Sequence, residues 1–530
     1  MTPNDGTGRT NVRAPELGPP TGNGLLAVLM LGTFIVVFDT AAVVIPLPAI
    51  LDDLGGTLDM ATWAYGAFVL VFAVFLLPAA RLADRYGRRP MFLSGMALFT
   101  LSSLACALAP SIGFLTTARG VEGLGAAMAE PAIFAMVNTA FSGKAKERAV
   151  GAHRGAFALA ALSAPLLSGL ITWGLSWEFV FYLNVLVGTA VTVAGIRLVP
   201  DTGDDDTPRS LDAPGVLLGG FSVFALAFAV IEGTRLGWSS PPIVASLVAG
   251  VVLLGLFVLH EKRADAPLVD RGLPASRRFT AGNLARGLGE FASLGLFFAL
   301  SHLLQVQLDH SALAAGAILM TIIVGAVIAA PVSESLTGKT DVRLLVIPGF
   351  LLIAAGTFWV TLSSPHPGWL FFLAPLAIAG AGFGLQEDPT AATALQDIPP
   401  ERSIIGRNIS YVAYLLGITA GVAVVSGVWQ SRFVANAQDA LGAPGLPPAA
   451  HELSADLSSG GVSGDPAASI TGPDADRLRE IVHTAFTDAV GTALLSCVAV
   501  AVLGALVAVL LAPSKDERSG SSTPDGMTSG

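Results

Sequence analysis

The chain has 530 residues, of which 53% are hydrophobic and 13% are charged, and its net charge is −10. A soluble protein of this length folds into several domains with polar surfaces, and the mean hydropathy of +0.69 excludes that class. The two cysteines, Cys106 and Cys497, lie within apolar runs, so we expect no disulfide framework. Without a basic face or a metal-ligand motif, we expect neither nucleic-acid binding nor a metal site.

The apolar residues come in repeated runs of about 20, the length that a helix needs to cross a hydrocarbon core of roughly 30 Å. Because lipid offers no hydrogen-bond partners, each span must satisfy its own backbone groups, and helices are therefore expected. We predict an all-α integral membrane protein with fourteen spans, at 24–46, 62–80, 90–109, 112–138, 150–173, 178–198, 213–233, 241–260, 280–305, 311–332, 344–362, 367–394, 404–428 and 485–511.

Lysine and arginine concentrate in alternate short loops, whereas the short loops of the other face hold only Arg235. By the positive-inside rule, this pattern predicts that both termini lie in the cytoplasm. We expect a multi-pass protein of the plasma membrane. We expect disordered cytoplasmic tails at 1–23 and 512–530, no cleaved signal peptide, and a partly disordered outer loop at 429–484 with a short helix near 474–484. The basic loops carry Arg81, Arg85, Arg88 and Arg89; Lys144, Lys146 and Arg148; Lys262, Arg263, Arg271, Arg277 and Arg278; Lys339 and Arg343; and Arg402 and Arg407.

A weak internal repeat aligns residues 80–95 with residues 334–349. A match this short can arise by chance, but together with the span count it predicts two six-helix halves, at 24–198 and 280–511, separated by two inserted spans at 199–279. The matched pairs are Leu82 with Leu336, Arg85 with Lys339, Arg89 with Arg343, and Gly95 with Gly349.

Five segments resemble motifs of the major facilitator superfamily, and the whole chain resembles its fourteen-span drug:proton antiporter branch. They are "DTAAVVIPLPAI" (39–50), "WAYGAFVLVFAVFLLPAARLADRYGRR" (63–89), "RGVEGLGAA" (119–127), "APLLSGL" (164–170) and "SWEFVFYLNV" (176–185). The resemblance implies the major-facilitator fold and proton-coupled drug export by alternating access, with the proton gradient as energy source and no cofactor.

The resemblance also implies two sets of functional residues. Asp84 is expected to dock at the first turn of the thirteenth span, near Ser403, where free N–H groups and the helix dipole suit a carboxylate. Because Ala164 and Ser168 replace glycines that the family often has, an importer or a metabolite or lipid transporter on the same fold stays open. The gating loop comprises Asp84, Arg85, Gly87, Arg88 and Arg89, and the antiporter-motif helix contributes Ala164, Pro165, Ser168 and Gly169.

Ionisable residues at membrane depth mark functional sites by default. In the fourth span Arg119, Glu122 and Glu130 lie within about 60° on one helical stripe, and Arg119 can pair with Glu122. Counting the helical rise from the inner face gives Asp39 a depth of about 22 Å and Arg119 a depth of about 20 Å. We therefore expect these two side chains to share a site. All four residues are proton-coupling candidates, Glu130 having no partner on its own helix, and a permanent structural ion pair is the alternative.

The second half of the chain carries further charges within spans. Arg286 and Glu290, four residues apart, form either a self-contained helical pair or part of a substrate or proton site. Glu387 and Asp388 either line the inner half of a cavity and attract cations, or lie at the cytoplasmic interface.

We therefore expect a monomeric, proton-coupled transporter that exports small amphipathic or cationic drugs or metabolites. An enzyme would need a nucleophile–base pair or a metal cluster near the bilayer, and the sequence offers neither. The remote alternative is a non-transporting membrane sensor, for which the outer loop is a poor candidate domain.

Overall fold

The computed structural model describes residues 19–200, 212–264, 276–364, 367–399, 402–443, 446–447, 450–451, 453–454 and 475–511. Most of the predicted tails and much of the predicted outer loop lie outside these residues. Within them the chain forms helices and no strand. The helices are α1 (Pro19–Ala42), α2 (Leu47–Leu54), α3 (Leu58–Tyr86), α4 (Arg88–Ala107), α5 (Ile112–Thr139), α6 (Gly143–Gly174), α7 (Glu178–Leu198), α8 (Ala213–Leu236), α9 (Pro241–Glu261), α10 (Arg277–His302), α11 (Ala312–Leu336), α12 (Arg343–Thr361), α13 (Leu370–Leu395), α14 (Ser403–Leu441) and α15 (Ala475–Ala508).

All of these helices except α2 are long and apolar enough to cross a membrane, which confirms the fourteen predicted spans. The first boundary was wrong, because α1 ends at Ala42 and a turn leads into α2. Pro46 and Pro48 have no N–H groups with which to continue the helical hydrogen bonds, so the helix stops before them. The short α2 then buries Leu47 and Ile50.

The predicted outer loop was also wrong at both ends. Helix α14 continues to Leu441 rather than ending near 428, and α15 begins at Ala475, so the short helix expected near 474–484 is the start of the last span. Both extensions keep a buried apolar face at helical spacing, although polar residues interrupt it. Trp429 packs against Phe486 with ring centroids 4.9 Å apart.

The helices pack in two groups with the same internal pattern. In the first group α3 contacts α5, α4 contacts both α5 and α7, and α1 contacts α6. In the second group α11 contacts α13, α12 contacts both α13 and α15, and α10 contacts α14. Between the groups, α3 contacts α14 and α6 contacts α11, so the second helix of each group meets the fifth of the other. This reciprocity confirms two six-helix halves, while their exact residue boundaries remain predictions.

The weak repeat in the sequence has a structural equivalent. A Cβ atom added at Gly95 would lie 2.9 Å from the carbonyl oxygen of Gly125, and one added at Gly349 would lie 2.9 Å from that of Gly382. The third helix of each half therefore approaches the fourth helix at the same glycine position, because small residues let two backbones come close.

The inserted helices α8 and α9 pack against each other, and α8 also contacts α3 and α14, one helix from each half. Trp63 of α3 donates a hydrogen bond of 2.6 Å to Glu232 of α8. Helix α9 exposes Val248, Val251 and Val252, as a lipid-facing helix does. The inserted pair thus covers the seam between α3 and α14 from outside.

The two ends of the helix bundle differ in charge. We call the end at which α3 meets α4 the basic end, and the opposite end the far end. At the basic end Gly87 has a φ of 97°, which permits the sharp turn between these helices and which a residue with a Cβ rarely adopts. The turns from α5 to α6, from α11 to α12 and from α13 to α14 lie at the same end.

The α3–α5 contact gives a first testable prediction. A Cβ at Gly123 would overlap the carbonyl oxygen of Phe68, whereas one at Gly120 would have its nearest neighbour, Val71, at 3.7 Å. We expect Gly123→Ala to destabilise the protein by about 1–3 kcal/mol through overpacking. Gly120→Ala is the matched control and should leave stability unchanged or raise it, because alanine favours helix. Thermal unfolding in detergent measures both, and equal melting temperatures would contradict the described contact.

Candidate functional site

The centre of the first half holds a buried ion pair. Arg119 of α5 donates a hydrogen bond of 2.6 Å from Nη1 to Oδ2 of Asp39 in α1, and Asn184 of α7 donates one of 2.7 Å to Oδ1 of the same carboxylate. All three side chains are completely buried. The contact predicted between Asp39 and Arg119 is therefore present, while its role in proton coupling stays a prediction.

Glu122 joins the same guanidinium. Nη1 of Arg119 lies 2.7 Å from Oε2 of Glu122, one helical turn away, as its spacing predicted. Helix α4 supplies two further contacts, since the Ser103 hydroxyl donates to Oε1 and the Cys106 sulfur lies 3.6 Å from Oε2. Sequence reasoning missed Ser103, Cys106 and Asn184; their only signal was a polar or thiol side chain within an apolar span.

This Arg119 site contains two carboxylates and one guanidinium. The guanidinium carbon lies 4.2 Å from the centroid of the Phe68 ring, a favourable position for a cation over an aromatic face. With Asp39 and Glu122 both ionised, the site would carry one net negative charge without exposure to water. One added proton makes it neutral, and because an uncompensated buried charge is costly, the site is suited to bind and release a proton.

Glu130 lies apart from that site, farther along α5 toward the basic end. Its side chain is buried, and its partners come from other helices: Oε2 is 3.5 Å from the Thr33 hydroxyl of α1, and Oε1 is 3.4 Å from Nε2 of His153 in α6. The expectation of a carboxylate without a partner on its own helix missed these neighbours. Both distances are at the long limit of a polar contact.

The charges of the second half gather around Arg286 of α10. Among the residues that the structure describes, no ion pair within 4.0 Å joins Arg286 to Glu290, so the self-contained helical pair is not formed. Glu290 is buried and Glu387 of α13 is half-buried, and each interacts electrostatically with Arg286. Asp388 is exposed, but it still interacts electrostatically with Glu387.

Aromatic side chains occupy the space between the two groups of charges. Tyr411 and Tyr414 of α14 stack with centroids 5.4 Å apart, and Phe72 of α3 meets Tyr411 edge-on at 5.6 Å. Arg286 lies 5.4 Å from the Tyr414 ring. Among the residues that the structure describes, the buried hydroxyl of Tyr65 has no hydrogen-bond partner, and it interacts electrostatically with both the Arg119 site and Glu290. This region is the candidate substrate site, because it combines apolar faces with a few convergent charges.

The gating loop is fixed to neighbouring helices. Arg88 donates a hydrogen bond of 2.6 Å to the Thr139 hydroxyl at the end of α5, and Arg89 donates one of 2.7 Å to the carbonyl oxygen of Ile196 in α7. Arg85 lies over the Tyr86 ring at 4.7 Å.

Asp84 is placed differently from these arginines. It lies 3.7 Å from Arg88 and lines a small cleft at the basic end, together with Ala80 of α3, Pro131 of α5, and Ile404 and Asn408 of α14. Ile404 belongs to the first turn of α14, so Asp84 and that turn line the same cleft, while docking of the carboxylate on the helix end stays a prediction. Its role in gating stays a prediction.

The antiporter-motif helix contacts the other half. A Cβ at Gly169 would lie 2.6 Å from the carbonyl oxygen of Ala312 in α11, and one at Gly316 of α11 would overlap the carbonyl oxygen of Pro165. Ala164 and Ser168 are buried in the same helix. This motif therefore allows α6 and α11 to approach closely toward the far end.

Ser168 has a specific partner that a glycine would lack. Because Pro46 has no N–H group, the carbonyl oxygen of Ala42 loses its usual helical donor, and the Ser168 hydroxyl donates a hydrogen bond of 2.7 Å to it. In the same way Pro48 leaves the carbonyl oxygen of Val44 without its helical donor, and Ser301 of α10 lies 3.3 Å from that oxygen. Polar groups from both halves thus satisfy the broken end of α1.

The burial of the Arg119 site gives a second prediction. Arg119→Gln should leave two unpaired buried carboxylates and destabilise the protein by about 3–5 kcal/mol at pH 8. Lowering the pH to 5 should recover part of this loss, since protonation removes the uncompensated charge. Arg343→Gln, which breaks a partly exposed pair with Asp341, is the control and should have little effect on stability. Thermal unfolding at both pH values tests this, and a stable Arg119→Gln variant at pH 8 would contradict it.

Known proteins resemble this chain in sequence and in fold. A sequence model described as the Major Facilitator Superfamily matches residues 29–424. The multidrug resistance protein Stp of Mycobacterium tuberculosis (strain CDC 1551 / Oshkosh) is 32% identical over 401 residues, covering 75% of this chain and 74% of that protein. The tetracenomycin C resistance and export protein of Streptomyces glaucescens is 28% identical over 497 residues, covering 93% and 92%.

Among solved structures, a bacterial homologue of the human lysosomal transporter Spinster, in an inward-facing and unoccupied conformation, superposes with a TM-score of 0.64. The match covers 93% of this chain and 98% of that one at 15% identity, which shows a shared fold. The sequence match spans most of the chain, and its fourteen spans and paired halves agree with it. This multi-pass membrane protein therefore belongs to the Major Facilitator Superfamily and is a transporter of small molecules rather than an enzyme.

Proposed function

We propose that this transporter exports small amphipathic or cationic compounds in exchange for protons. The observation that carries the proposal is the Arg119 site, in which two buried carboxylates, Asp39 and Glu122, share one guanidinium. Such a site can take up one proton and release it again without creating a second uncompensated charge. The names of the relatives, which specify multidrug resistance and the export of tetracenomycin C, support outward transport of drug-like compounds.

The substrate class follows from the second half. Glu290 and Glu387 place two carboxylates near one guanidinium, that of Arg286, so this region carries a net negative charge when both are ionised. The rings of Tyr411 and Tyr414 offer aromatic faces beside these acids. A cation gains from both features, because carboxylates attract its charge and aromatic faces bind it without competing hydration.

The orientation is inferred from charge. The arginines of the gating loop and the lysines at the start of α6 lie at the basic end, which we assign to the cytoplasm with both termini. The protein would work as a monomer in the plasma membrane, because both surfaces that must rock against each other belong to one chain.

Alternating access would use the contacts between the halves. At the far end, Gln305 donates a hydrogen bond of 3.0 Å to the carbonyl oxygen of Ile45, and Gln430 donates one of 3.3 Å to Asp59. Opening the far end requires these bonds to break, while Asp84 and the first turn of α14 separate when the basic end opens. Protonation or substrate binding shifts this balance only through different affinities for the two states.

A second candidate function is import of a metabolite or lipid by the same fold. Ala164 and Ser168 favour it, since both replace glycines of the motif that marks exporters in this family. The direction of substrate flux distinguishes the two functions.

Coupled transport is the direct test. The protein is reconstituted in vesicles with an imposed pH gradient, and ethidium, a fluorescent organic cation, is added while proton release is recorded. We expect substrate-dependent proton release in the wild type and at least a tenfold loss in Asp39→Asn and in Glu122→Gln, because each variant lacks one of the two shared carboxylates. Glu147→Gln, at an exposed carboxylate of α6, is the matched control and should behave as wild type. Full coupling in both site variants would refute the assignment.

Asp84→Asn tests the gating loop separately. The neutral amide keeps its size but loses the charge that faces the first turn of α14, so we expect transport to fall severalfold while yield and topology persist. Asp341→Asn, at a basic-end turn of the other half, should transport normally. Labelling of cysteines introduced at loop positions reports topology, and ethidium flux reports transport. Normal flux in Asp84→Asn would leave the gating loop with a role in orienting the spans only.

A further inference from the structure

A second cluster of titratable groups lies between the Arg119 site and the basic end. Glu130 and Phe134 are one turn apart on α5, and both face His153 of α6. The side chains of Glu130 and His153 are almost completely buried, with Nε2 of His153 3.4 Å from Oε1 of Glu130. The Phe134 and His153 rings meet edge-on with centroids 5.8 Å apart. Nε2 of His153 makes no hydrogen bond within the described part of the chain, so this nitrogen is available to a proton shared with Glu130.

The other half contributes a cation to this cluster. Arg407 of α14 places its guanidinium carbon 3.5 Å from the centroid of the Phe134 ring. Within the described ranges it has no carboxylate within 4.0 Å, and its electrostatic interaction with Glu130 acts across the gap between the halves. One aromatic ring of the first half therefore has the imidazole at its edge and the guanidinium of the second half over its face.

The contacts of Glu130 differ from those of the Arg119 site. Asp39 and Glu122 accept hydrogen bonds of 2.6 and 2.7 Å from one guanidinium, whereas the oxygens of Glu130 have partners only at 3.4 and 3.5 Å. Glu130 is also about 16 Å farther along α5 than Arg119 by the helical rise. The carboxylate of Glu130 therefore has no short hydrogen bond, and the guanidinium of Arg407, which interacts with it, belongs to the other half.

The charge balance of the cluster depends on a single proton. With Glu130 ionised and His153 neutral, the cluster has one negative charge, which compensates Arg407. A proton on Oε1 of Glu130 or on Nε2 of His153 removes that compensation, and the desolvated guanidinium then lacks a counter-ion. Histidine is the side chain whose charge ordinarily changes near neutral pH.

We propose that Glu130 and His153 hold one exchangeable proton that controls the approach of Arg407, so that proton uptake opens the basic end and proton release closes it. The inference rests on the proposed proton-coupled transport and adds a gate to it, in which His153 shares the proton and Arg407 is the positioning residue. An exporter that receives its proton on the far side would thus return to its basic-end-open state only in the protonated form.

Other charged groups adjoin the cluster, and the experiment must separate them from it. Among the described residues of α1, the Thr33 hydroxyl is the group in contact with Glu130. The remaining titratable or charged groups on the packed elements are Arg154 of α6, Tyr411 of α14, Arg286 of α10, Arg81 and Asp84 of α3 beside Pro131, and Arg88 of α4 on Thr139.

The test measures the width of the basic end directly. Spin labels are attached through Lys144→Cys, in the exposed first turn of α6, and Lys339→Cys, in the exposed turn after α11. Their separation is measured by double electron–electron resonance in lipid nanodiscs from pH 5.5 to 8.5. Cys106 and Cys497 are buried, and the chain without the two substitutions controls for their labelling. We expect the separation to be long at low pH and short at high pH.

The variants assign this response to the cluster. Glu130→Gln should keep the long separation at every pH, and Arg407→Gln should lose the response, because either the acid or the cation is missing. His153→Gln should weaken the response, because the shared proton loses one of its two acceptors. Glu130→Asp keeps the charge and should keep the response, and Glu147→Gln, an exposed carboxylate of α6, should match the wild type.

A pH response that persists unchanged in both Glu130→Gln and Arg407→Gln overturns the inference. If Glu130→Gln does not fold, Arg407→Gln and His153→Gln still test the inference, because an unchanged pH response in both variants would overturn it. The proposed function fails separately: absence of substrate-coupled proton flux in wild-type vesicles refutes it whatever the label distances show, whereas flux with an unaltered response in the variants refutes only the gate.

Discussion

The guanidinium of Arg119 is the interaction on which the first half depends. It bonds two carboxylates from two helices, and a third helix supplies the amide that completes Asp39. Such a cluster is stable away from water only if every member stays within hydrogen-bond distance. The close approach of α4 to α5 at Gly95 and Gly125 serves this requirement, because it brings the Ser103 hydroxyl to Glu122. The packing of α4 against α5 and the hydrogen bonding of the Arg119 site therefore depend on each other.

The two halves each place two carboxylates near one guanidinium, on opposite sides of the Tyr411 and Tyr414 rings. Asp39 and Glu122 share Arg119 in the first half, and Glu290 and Glu387 surround Arg286 in the second. Each group lacks one positive charge. Under the proposed function, a proton supplies that charge in the first half and a cationic substrate supplies it in the second. Proton and substrate would then bind at separate groups of charges, without direct contact between them.

The sequence was informative where a property depends on one helix alone. Span number follows from apolar length, the Arg119–Glu122 pair from a spacing of three residues, and the Asp39–Arg119 contact from counting depth along two helices. Contacts that depend on the rotation of one helix relative to another were not predictable, and the partners of Glu130 are the clearest case, since Thr33 and His153 lie on different helices. The long α14 was missed because polar residues interrupt an apolar face that is still continuous at helical spacing.

Helix α14 shows how these sites can move together. Arg407, Tyr411 and Tyr414 lie on one face of it, at spacings of four and three residues, and contact Phe134 of α5, Phe72 of α3 and Phe157 of α6 respectively. Aromatic faces and edges attract without the strict direction of a hydrogen bond, so these contacts can slide with little loss. The directional bonds between the halves, from Ser301 and Gln305 to the end of α1, lie toward the far end instead. Under the proposed function, rocking would meet little resistance from these aromatic contacts, and its energy would depend on the bonds of the far end, including that from Gln430 to Asp59, and on the charges that face Arg407.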